Sequence, residues 1–128
     1  METLRVTTFN PNSWNSVKDQ LGTLHGQVIM IQEMRQDKDQ VLALSALMKS
    51  KGFYCVTTEC TQGPSGSPSA GVAIFSKLHL NAIRLSTAVT SIVFKHHCVA
   101  MPIRFKKLGA VVFYSLYLVS GAGFHSVN

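Results

Sequence analysis

Gln27-Val28-Ile29-Met30-Ile31-Gln32-Glu33 is the most informative segment of the chain. Four consecutive apolar residues form its centre, and they predict a short strand that is buried on both faces. The segment ends in an amide and a carboxylate, so two polar side chains follow the strand at its carboxyl end. In an α/β layer, this end of a strand meets the crevice where ligands bind.

The residues before this segment predict a strand and then a helix. Residues 4–9 are rich in β-forming types, and their strand should end at Asn10-Pro11-Asn12 because proline cannot continue a central ladder. Ser13 can cap a helix that runs to about His25. Apolar residues recur on one face of that helix at Trp14, Val17, Leu21 and Leu24.

The residues after the segment predict a second helix and a third strand. Asp37 can cap this helix, and Gly52 is a suitable residue just past its end. Its expected apolar stripe is Val41, Leu44, Leu47 and Met48. Residues 53–58 predict a strand, and residues 61–69 form a turn-rich loop that is too short to be a linker between domains.

Beyond residue 69 the pattern is of strands separated by short turns. The predicted strands are residues 70–75, about 83–94, 98–105 and 110–119. The resulting order is β-α-β-α-β followed by an antiparallel meander. With 128 residues and no internal repeat, we predict one domain over residues 1–128 with an α/β (α+β type) fold and a mixed sheet.

Positive charge is concentrated in the second half of the chain. The chain has 12 Lys and Arg and 6 Asp and Glu, a net charge of +6, yet no carboxylate side chain occurs from Cys60 onward. Such a one-sided charge favours a polyanionic partner, nucleic acid first and an acidic membrane surface second. A sparse basic surface that keeps an apolar domain soluble is the alternative.

Composition excludes several classes of protein. Hydrophobic content of 46% with 14% charged residues excludes an intrinsically disordered chain. The longest apolar run, residues 109–120, is shorter than the roughly 20 residues that span a bilayer, and the first residues predict no secretory signal. Three cysteines, an odd number, predict free thiols in a reducing compartment, so we expect an intracellular protein, nuclear or cytoplasmic.

Asn10 and Glu33 are the candidate ligands for a metal ion. Each residue closes one of two neighbouring predicted strands, so both should converge on one edge of the sheet. Their oxygens suit Mg²⁺, which keeps most of its waters and takes few protein ligands; Mn²⁺ is the alternative cation. Spacing alone leaves an alternative open, in which Glu33 is a solvated glutamate at a strand end and Asn10 is an ordinary turn residue. The glycine-rich loop lacks a Walker pattern, and the cysteines and histidines lack zinc spacing.

Four segments resemble the endonuclease/exonuclease/phosphatase superfamily. Residues 4–10 are similar to its opening strand, which usually ends Thr-Trp-Asn and here ends Thr-Phe-Asn. Residues 28–33 resemble its hydrophobic strand ending in Gln-Glu, and residues 69–74 resemble its Ser-Gly-Gly-Val-Ala-Ile strand. Residues 114–120 resemble the strand that carries an active-site tyrosine in apurinic-site and retrotransposon-type endonucleases. The order and the gaps agree over nearly the whole chain.

This resemblance implies a Mg²⁺-dependent phosphodiester hydrolase, similar to a DNA endonuclease, built as half of a two-layer αββα sandwich with two helices on one face. It implies Glu33 as the metal carboxylate, Asn10 as a polar ligand near phosphate and metal, and Tyr117 as a contact to the phosphate or transition state. An inward-facing core tyrosine is the alternative for Tyr117. Asn12 and Ser120 depart from the family pattern and leave the substrate class open, with phosphomonoesters and phospholipid phosphodiesters as alternatives to DNA.

The family's later motifs, Gly-Asp-x-Asn and Ser-Asp-His, do not occur in these 128 residues. We therefore expect an N-terminal portion of a domain that is inactive or weakly active alone and needs a C-terminal half or a partner chain. Without a second sheet, its apolar strands should need that partner or stay exposed. The alternatives are a non-catalytic basic half-domain that binds nucleic acid or a partner, and a gene fragment without independent function.

Overall fold

The computed structural model describes residues 3–11, 26–63, 65–80, 82 and 96–118. The predicted helix at residues 13–25 and the predicted strand at residues 83–94 lie outside this range, as do Asn12 and Ser120. The described elements are β1 (Val6–Phe9), β2 (Val28–Ile31), α1 (Lys38–Ser50), β3 (Phe53–Thr57), β4 (Thr61–Gln62), β5 (Pro68–Ser69), β6 (Ala73–Lys77), a 3₁₀ turn (Leu78–Leu80), β7 (Cys98–Phe105) and β8 (Gly109–Leu116).

The central sheet is mixed, as predicted, and has four strands in the order β1-β2-β6-β3. Strands β1 and β2 are parallel, whereas β6 is antiparallel to both of its neighbours. This position corrects the predicted meander, because β6 joins the first sheet and separates β2 from β3. The strand also begins at Ala73 instead of Ala70. Its central position follows from its side chains, since Ala73, Ile74 and Phe75 are fully buried.

Helix α1 covers one face of this sheet. Asp37 accepts a hydrogen bond from the Gln40 backbone N–H, and the Gln40 side chain accepts one from the Asp37 N–H, which forms a capping box. Of the predicted stripe, Leu44 and Met48 are buried against the sheet, but Leu47 is 39% exposed. The contact stripe is therefore narrower than the spacing predicts. The core on this side consists of Ile29, Ile31, Met34, Leu44, Met48, Phe53, Ala73 and Phe75.

The hairpin of β7 and β8 covers the opposite face of the sheet. Its two strands are antiparallel and paired from Cys98–Leu116 to Phe105–Gly109. A second core cluster joins the sheet to the hairpin through Val28, Val72, Ile74, Val99, Met101 and Ile103. The expectation that these strands lack a covering layer is thus wrong for this face. The fold class is confirmed as α/β with a mixed sheet, in layers of helix, sheet and hairpin.

Two further predictions can be compared with the structure. Cys55, Cys60 and Cys98 are all free thiols, as expected. Within the described ranges, no helix has the length and apolar character needed to cross a membrane.

Candidate functional site

The carboxyl ends of β1 and β2 lie side by side. Their last register pair is Phe9 with Ile31, and the Gln32 backbone N–H donates to the Phe9 carbonyl oxygen at 3.0 Å. Asn10 therefore leaves β1 at the same edge of the sheet where Gln32 and Glu33 leave β2. Asn10 is exposed, whereas Glu33 is buried with 8% of its surface accessible.

Glu33 lies in a turn with an unusual backbone. Glu33, Arg35 and Ala70 have φ angles of 55°, 56° and 63°, and they are the non-glycine residues with positive φ in the described part of the chain. Each such residue costs about 1–2 kcal/mol because its Cβ approaches the following carbonyl oxygen. This strain persists only where the surrounding structure requires it, and such positions are frequent at functional sites.

Long-range hydrogen bonds hold this turn in place. The Met34 N–H donates to the Gly71 carbonyl at 2.9 Å, and the Arg35 N–H donates to the Ala70 carbonyl at 3.0 Å. Met34 is fully buried in the helix-side core. Gly71 has a φ of 84°, and a Cβ there would lie 3.4 Å from the Cys60 nitrogen. The turn at residues 33–35 and the turn at residues 70–71 are therefore joined by backbone hydrogen bonds, which hold the backbone of Glu33 in place.

Tyr117 contacts Glu33 from the end of the hairpin. The Tyr117 hydroxyl donates to Glu33 Oε1 at 3.4 Å, which joins two residues 84 positions apart. The His97 ring is stacked on the Tyr117 ring, with 6.0 Å between centroids and 12° between planes. The Tyr117 backbone N–H also donates to the His97 carbonyl at 2.8 Å. His97 thus supports both the backbone and the ring of Tyr117.

Arg35 is a member of the site that sequence reasoning missed. Its Nη2 and Nε atoms donate to Glu33 Oε1 at 2.6 and 3.2 Å, so they contact the same oxygen as Tyr117. The Arg35 side chain is 42% exposed and that of Glu33 is 10% exposed. A separation of two residues brings these side chains together because both residues are left-handed. No spacing rule contains that signal.

Gln32 and Ser115 tie the hairpin to the sheet beside Glu33. The Gln32 side-chain amide donates to Ser115 Oγ at 3.1 Å, and Ser115 Oγ donates to the Ile31 carbonyl at 3.1 Å. The same amide donates to Thr8 Oγ1 at 3.1 Å, which adds β1 to the network. Ser115 could have been found from the sequence, because it lies two residues before Tyr117 on the same face of a predicted strand.

The carboxylate of Glu33 and the carboxamide of Asn10 follow the two strands at this edge, and oxygen donors of these types are those that Mg²⁺ takes in proteins. One or two carboxylates are enough for Mg²⁺ because the ion keeps several waters. Within the described ranges, no cluster of three or more His, Cys, Asp or Glu residues could hold a metal ion. The roles of Asn10, Glu33 and Tyr117 stay predictions, although the geometry brings Tyr117 and Glu33 into contact.

The described basic side chains of the second half of the chain lie far from this edge. Arg104, Lys106 and Lys107 are exposed around the turn of the hairpin. Arg104 pairs with Ala110, six residues along β7 from the Cys98–Leu116 pair, which is about 20 Å at the rise of a strand. Lys77 also lies at the far end of β6, where its Nζ is 4.2 Å from the centre of the Phe53 ring. Arg84 and Lys95 lie outside the described residues.

The layers described above are similar to those of a solved structure. The crystal structure of the AP endonuclease LMAP from Leishmania major superimposes on this chain with a TM-score of 0.67 at 13% sequence identity. The alignment covers 97% of this chain and 43% of the endonuclease, so the chain spans less than half the length of that neighbour. At this identity the likeness shows the fold alone. No family model matches the sequence, and no curated protein matches it.

Proposed function

We propose that this chain forms the phosphate-facing portion of a Mg²⁺-dependent phosphodiester hydrolase domain of the endonuclease/exonuclease/phosphatase superfamily, with DNA as its polyanionic partner. The main support is the contact between Tyr117 and Glu33. This contact brings together one residue from the segment that resembles the Gln-Glu strand and one from the segment that resembles the tyrosine strand. The similarity of the fold to an AP endonuclease is consistent with this proposal.

Each residue of the site has a distinct proposed role. Glu33 and Asn10 would hold Mg²⁺, and the chemistry that a cation supplies there is polarisation of a phosphoryl oxygen. The Tyr117 hydroxyl would donate a hydrogen bond to the phosphate, in an orientation maintained by the His97 ring. Long-range hydrogen bonds hold the strained backbone from Glu33 to Arg35, so this backbone can stay in place when a phosphate binds.

We further propose that hydrolysis needs groups beyond these residues. Loss of acid–base assistance lowers the rate by about 10²–10⁴-fold, and loss of anion contacts lowers it by about another 10²–10³-fold. In this proposal the groups come from a C-terminal half or a partner chain. The length of the AP endonuclease neighbour, of which this chain covers 43%, is consistent with that need.

DNA binding by the basic turn of the hairpin is the first test of this proposal. A labelled duplex titrated with the chain at several salt concentrations should bind weakly, with a salt slope of about 0.9 per contacted phosphate. Replacing both Lys106 and Lys107 with Gln should lower the slope by up to about 1.8. Replacing both Lys49 and Lys51 with Gln removes the same charge from the end of α1 and should change the slope less. Equal effects of the two double variants, or binding that ignores salt, would contradict the proposed contact.

Nicking of supercoiled plasmid by nuclease-free chain tests the proposed chemistry. We expect no turnover with Mg²⁺ from these 128 residues alone, and turnover once a donor second half is fused to them. Nicking by the chain alone that vanishes in Glu33→Ala would contradict the need for further groups. A fusion whose nicking is insensitive to Glu33→Ala would remove Glu33 from the site.

A non-catalytic basic half-domain that binds nucleic acid or a partner is the second candidate. The ion pair of Arg35 with Glu33 favours it, because that pair already neutralises the carboxylate at this edge. Phosphomonoesters and phospholipid phosphodiesters are alternative substrates for the first candidate. If the chain binds DNA but no fusion with a donor second half nicks the plasmid, the non-catalytic half-domain is favoured.

A further inference from the structure

The pair formed by Arg35 and Glu33 has a consequence for the metal site. We propose that Arg35 is a built-in counter-ion that competes with a divalent cation for Glu33, and that it releases the carboxylate when a phosphate group takes the guanidinium. Binding of metal and binding of phosphate would then favour each other. This inference rests on the proposed function, because it assumes that Glu33 is the cation ligand.

The competition follows from the contacts of one oxygen atom. Two Arg35 nitrogens, Nε and Nη2, and the Tyr117 hydroxyl donate to Glu33 Oε1. A divalent cation at that oxygen would stand within a few ångströms of the guanidinium, where repulsion between like charges is strong. The guanidinium must therefore leave Oε1 before a cation binds there, and a cation at the other carboxylate oxygen, Oε2, would still lie within a few ångströms of the guanidinium and be repelled by it.

The side chain of Arg35 is able to leave while its backbone stays. The Arg35 N–H is held by the Ala70 carbonyl at 3.0 Å, and its neighbour Met34 is fully buried. The side chain, in contrast, is 42% exposed, so rotation into solvent breaks contacts to Glu33 alone among the bonds described here. Asp37, the next acid along the chain, is already engaged in capping α1. A guanidinium released from Glu33 is therefore available to bind another anion.

Phosphate is the anion that this geometry suits. A guanidinium binds phosphate oxygens through two parallel N–H donors, as it binds a carboxylate. The Tyr117 hydroxyl and the Arg35 guanidinium both donate to Glu33 Oε1, so the two donors lie close to each other. A phosphate group that drew both donors away from Glu33 would receive both bonds, and it would free the carboxylate for the cation. By linkage, the cation would strengthen phosphate binding by the same factor.

Binding of Mn²⁺, followed by the EPR signal of the free ion, tests the competition without any catalytic readout. In the full chain, Arg35→Gln should tighten Mn²⁺ binding by about 3- to 10-fold, the range for a partly exposed charge-assisted pair. Lys38→Gln removes the same charge three residues away and should change the affinity by less than about twofold. Gln is a suitable replacement at position 35 because it is unbranched at Cβ like Arg, so the strain of the positive φ should be the same in both. Glu33→Gln should abolish binding in both backgrounds.

Sulfate, a phosphate mimic, tests the coupling when chloride supplies the same ionic strength in the control. Sulfate should tighten Mn²⁺ binding to the unmodified chain and have no such effect in Arg35→Gln. The inference is overturned if Arg35→Gln and Lys38→Gln act equally, if neither changes the affinity, if sulfate has no effect, or if no variant binds Mn²⁺. Mn²⁺ binding that Glu33→Gln removes but Arg35→Gln leaves unchanged would overturn this inference and keep the proposed metal ligand.

Discussion

The two ends of the central sheet are built very differently. At the end formed by Gln27, Gly52 and Lys77, hereafter the ordinary end, backbone bonds close the strands at 2.9 and 3.1 Å. The one left-handed residue among these three is a glycine, Gly52 with a φ of 87°, and a Cβ there would meet nothing within 4 Å. The left-handed position at this end is thus occupied by the residue type that adopts a positive φ at little cost.

The opposite end, hereafter the strained end, consists of residues 33–35 and residues 70–71. Here non-glycine residues adopt left-handed conformations, and the turns are held by bonds to each other instead of by local chemistry. The candidate ligands and the Arg35–Glu33 pair lie at this end. The difference teaches that, among the residues that the structure describes, left-handed non-glycine residues occur only at the edge where the proposed site lies, while the rest of the sheet follows ordinary propensities.

The largest expected effect comes from the buried methionines of the two ends. Met34→Ala at the strained end should lower the free energy of unfolding by about 3 kcal/mol, within the range of roughly 2–5 kcal/mol for such a cavity. Met48→Ala near the ordinary end should lower the free energy of unfolding by a similar amount, reduced by a few tenths of a kcal/mol because alanine has the higher helix propensity. Urea unfolding measures both. Only Met34→Ala should also deprotect the Arg35 amide in hydrogen exchange, and equal protection of that amide in both variants would refute the comparison.

Two left-handed glycines, one at each end of the central sheet, give the next effect. Gly71→Ala should destabilise the fold by about 2 kcal/mol, because it adds strain at positive φ and brings a Cβ near the Cys60 nitrogen. Gly52→Ala adds the same kind of strain in open space and should cost about 1 kcal/mol. Thermal and urea unfolding of both variants check the order. A larger loss in Gly52→Ala would mean that the strained end is not the tighter one.

Two serines provide a smaller contrast. Ser115→Ala removes a buried bond to the Ile31 carbonyl and the acceptor for Gln32, so it should cost about 1–2 kcal/mol. Ser50→Ala removes an exposed bond to the Leu47 carbonyl, and the better helix propensity of alanine offsets that loss to within about 0.5 kcal/mol. Urea midpoints compare the two. Matching midpoints would show that the link between hairpin and sheet adds no stability.

The smallest expected effect concerns the thiol of Cys55, whose raised pKa has no effect on the free energy of unfolding at neutral pH. Burial raises the pKa of Cys55 to about 11 from its ordinary value of 9.0, although Lys49 opposes the shift. The stabilisation from the neutral thiol is complete below pH 9 and is lost as pH rises from 9 to 11. At pH 8, Cys55 should react with iodoacetamide about 100-fold more slowly than in urea-unfolded chain. Equal rates in folded and unfolded protein would contradict this burial, and Cys55→Ser identifies the signal.

Local sequence patterns predicted most of the described helical and strand segments correctly. The apolar run at residues 28–31, the capping residue Asp37 and Gly52 after the helix each act within a few positions, so they could be read without a fold. The carboxyl-end positions of Asn10 and Glu33 followed from the same rules. These predictions succeeded because hydrophobic periodicity, capping and turn chemistry depend on neighbours along the chain.

Only the tertiary structure decided what those elements meet. The place of β6 between β2 and β3, the exposure of Leu47 and the bond from Ser115 to Ile31 depend on partners that are distant in sequence. The ion pair of Arg35 with Glu33 depends on two left-handed residues that Ala70 and Gly71 hold in place. Backbone strain of this kind is set by long-range hydrogen bonds and burial, so residue identity along the chain carries no signal for it.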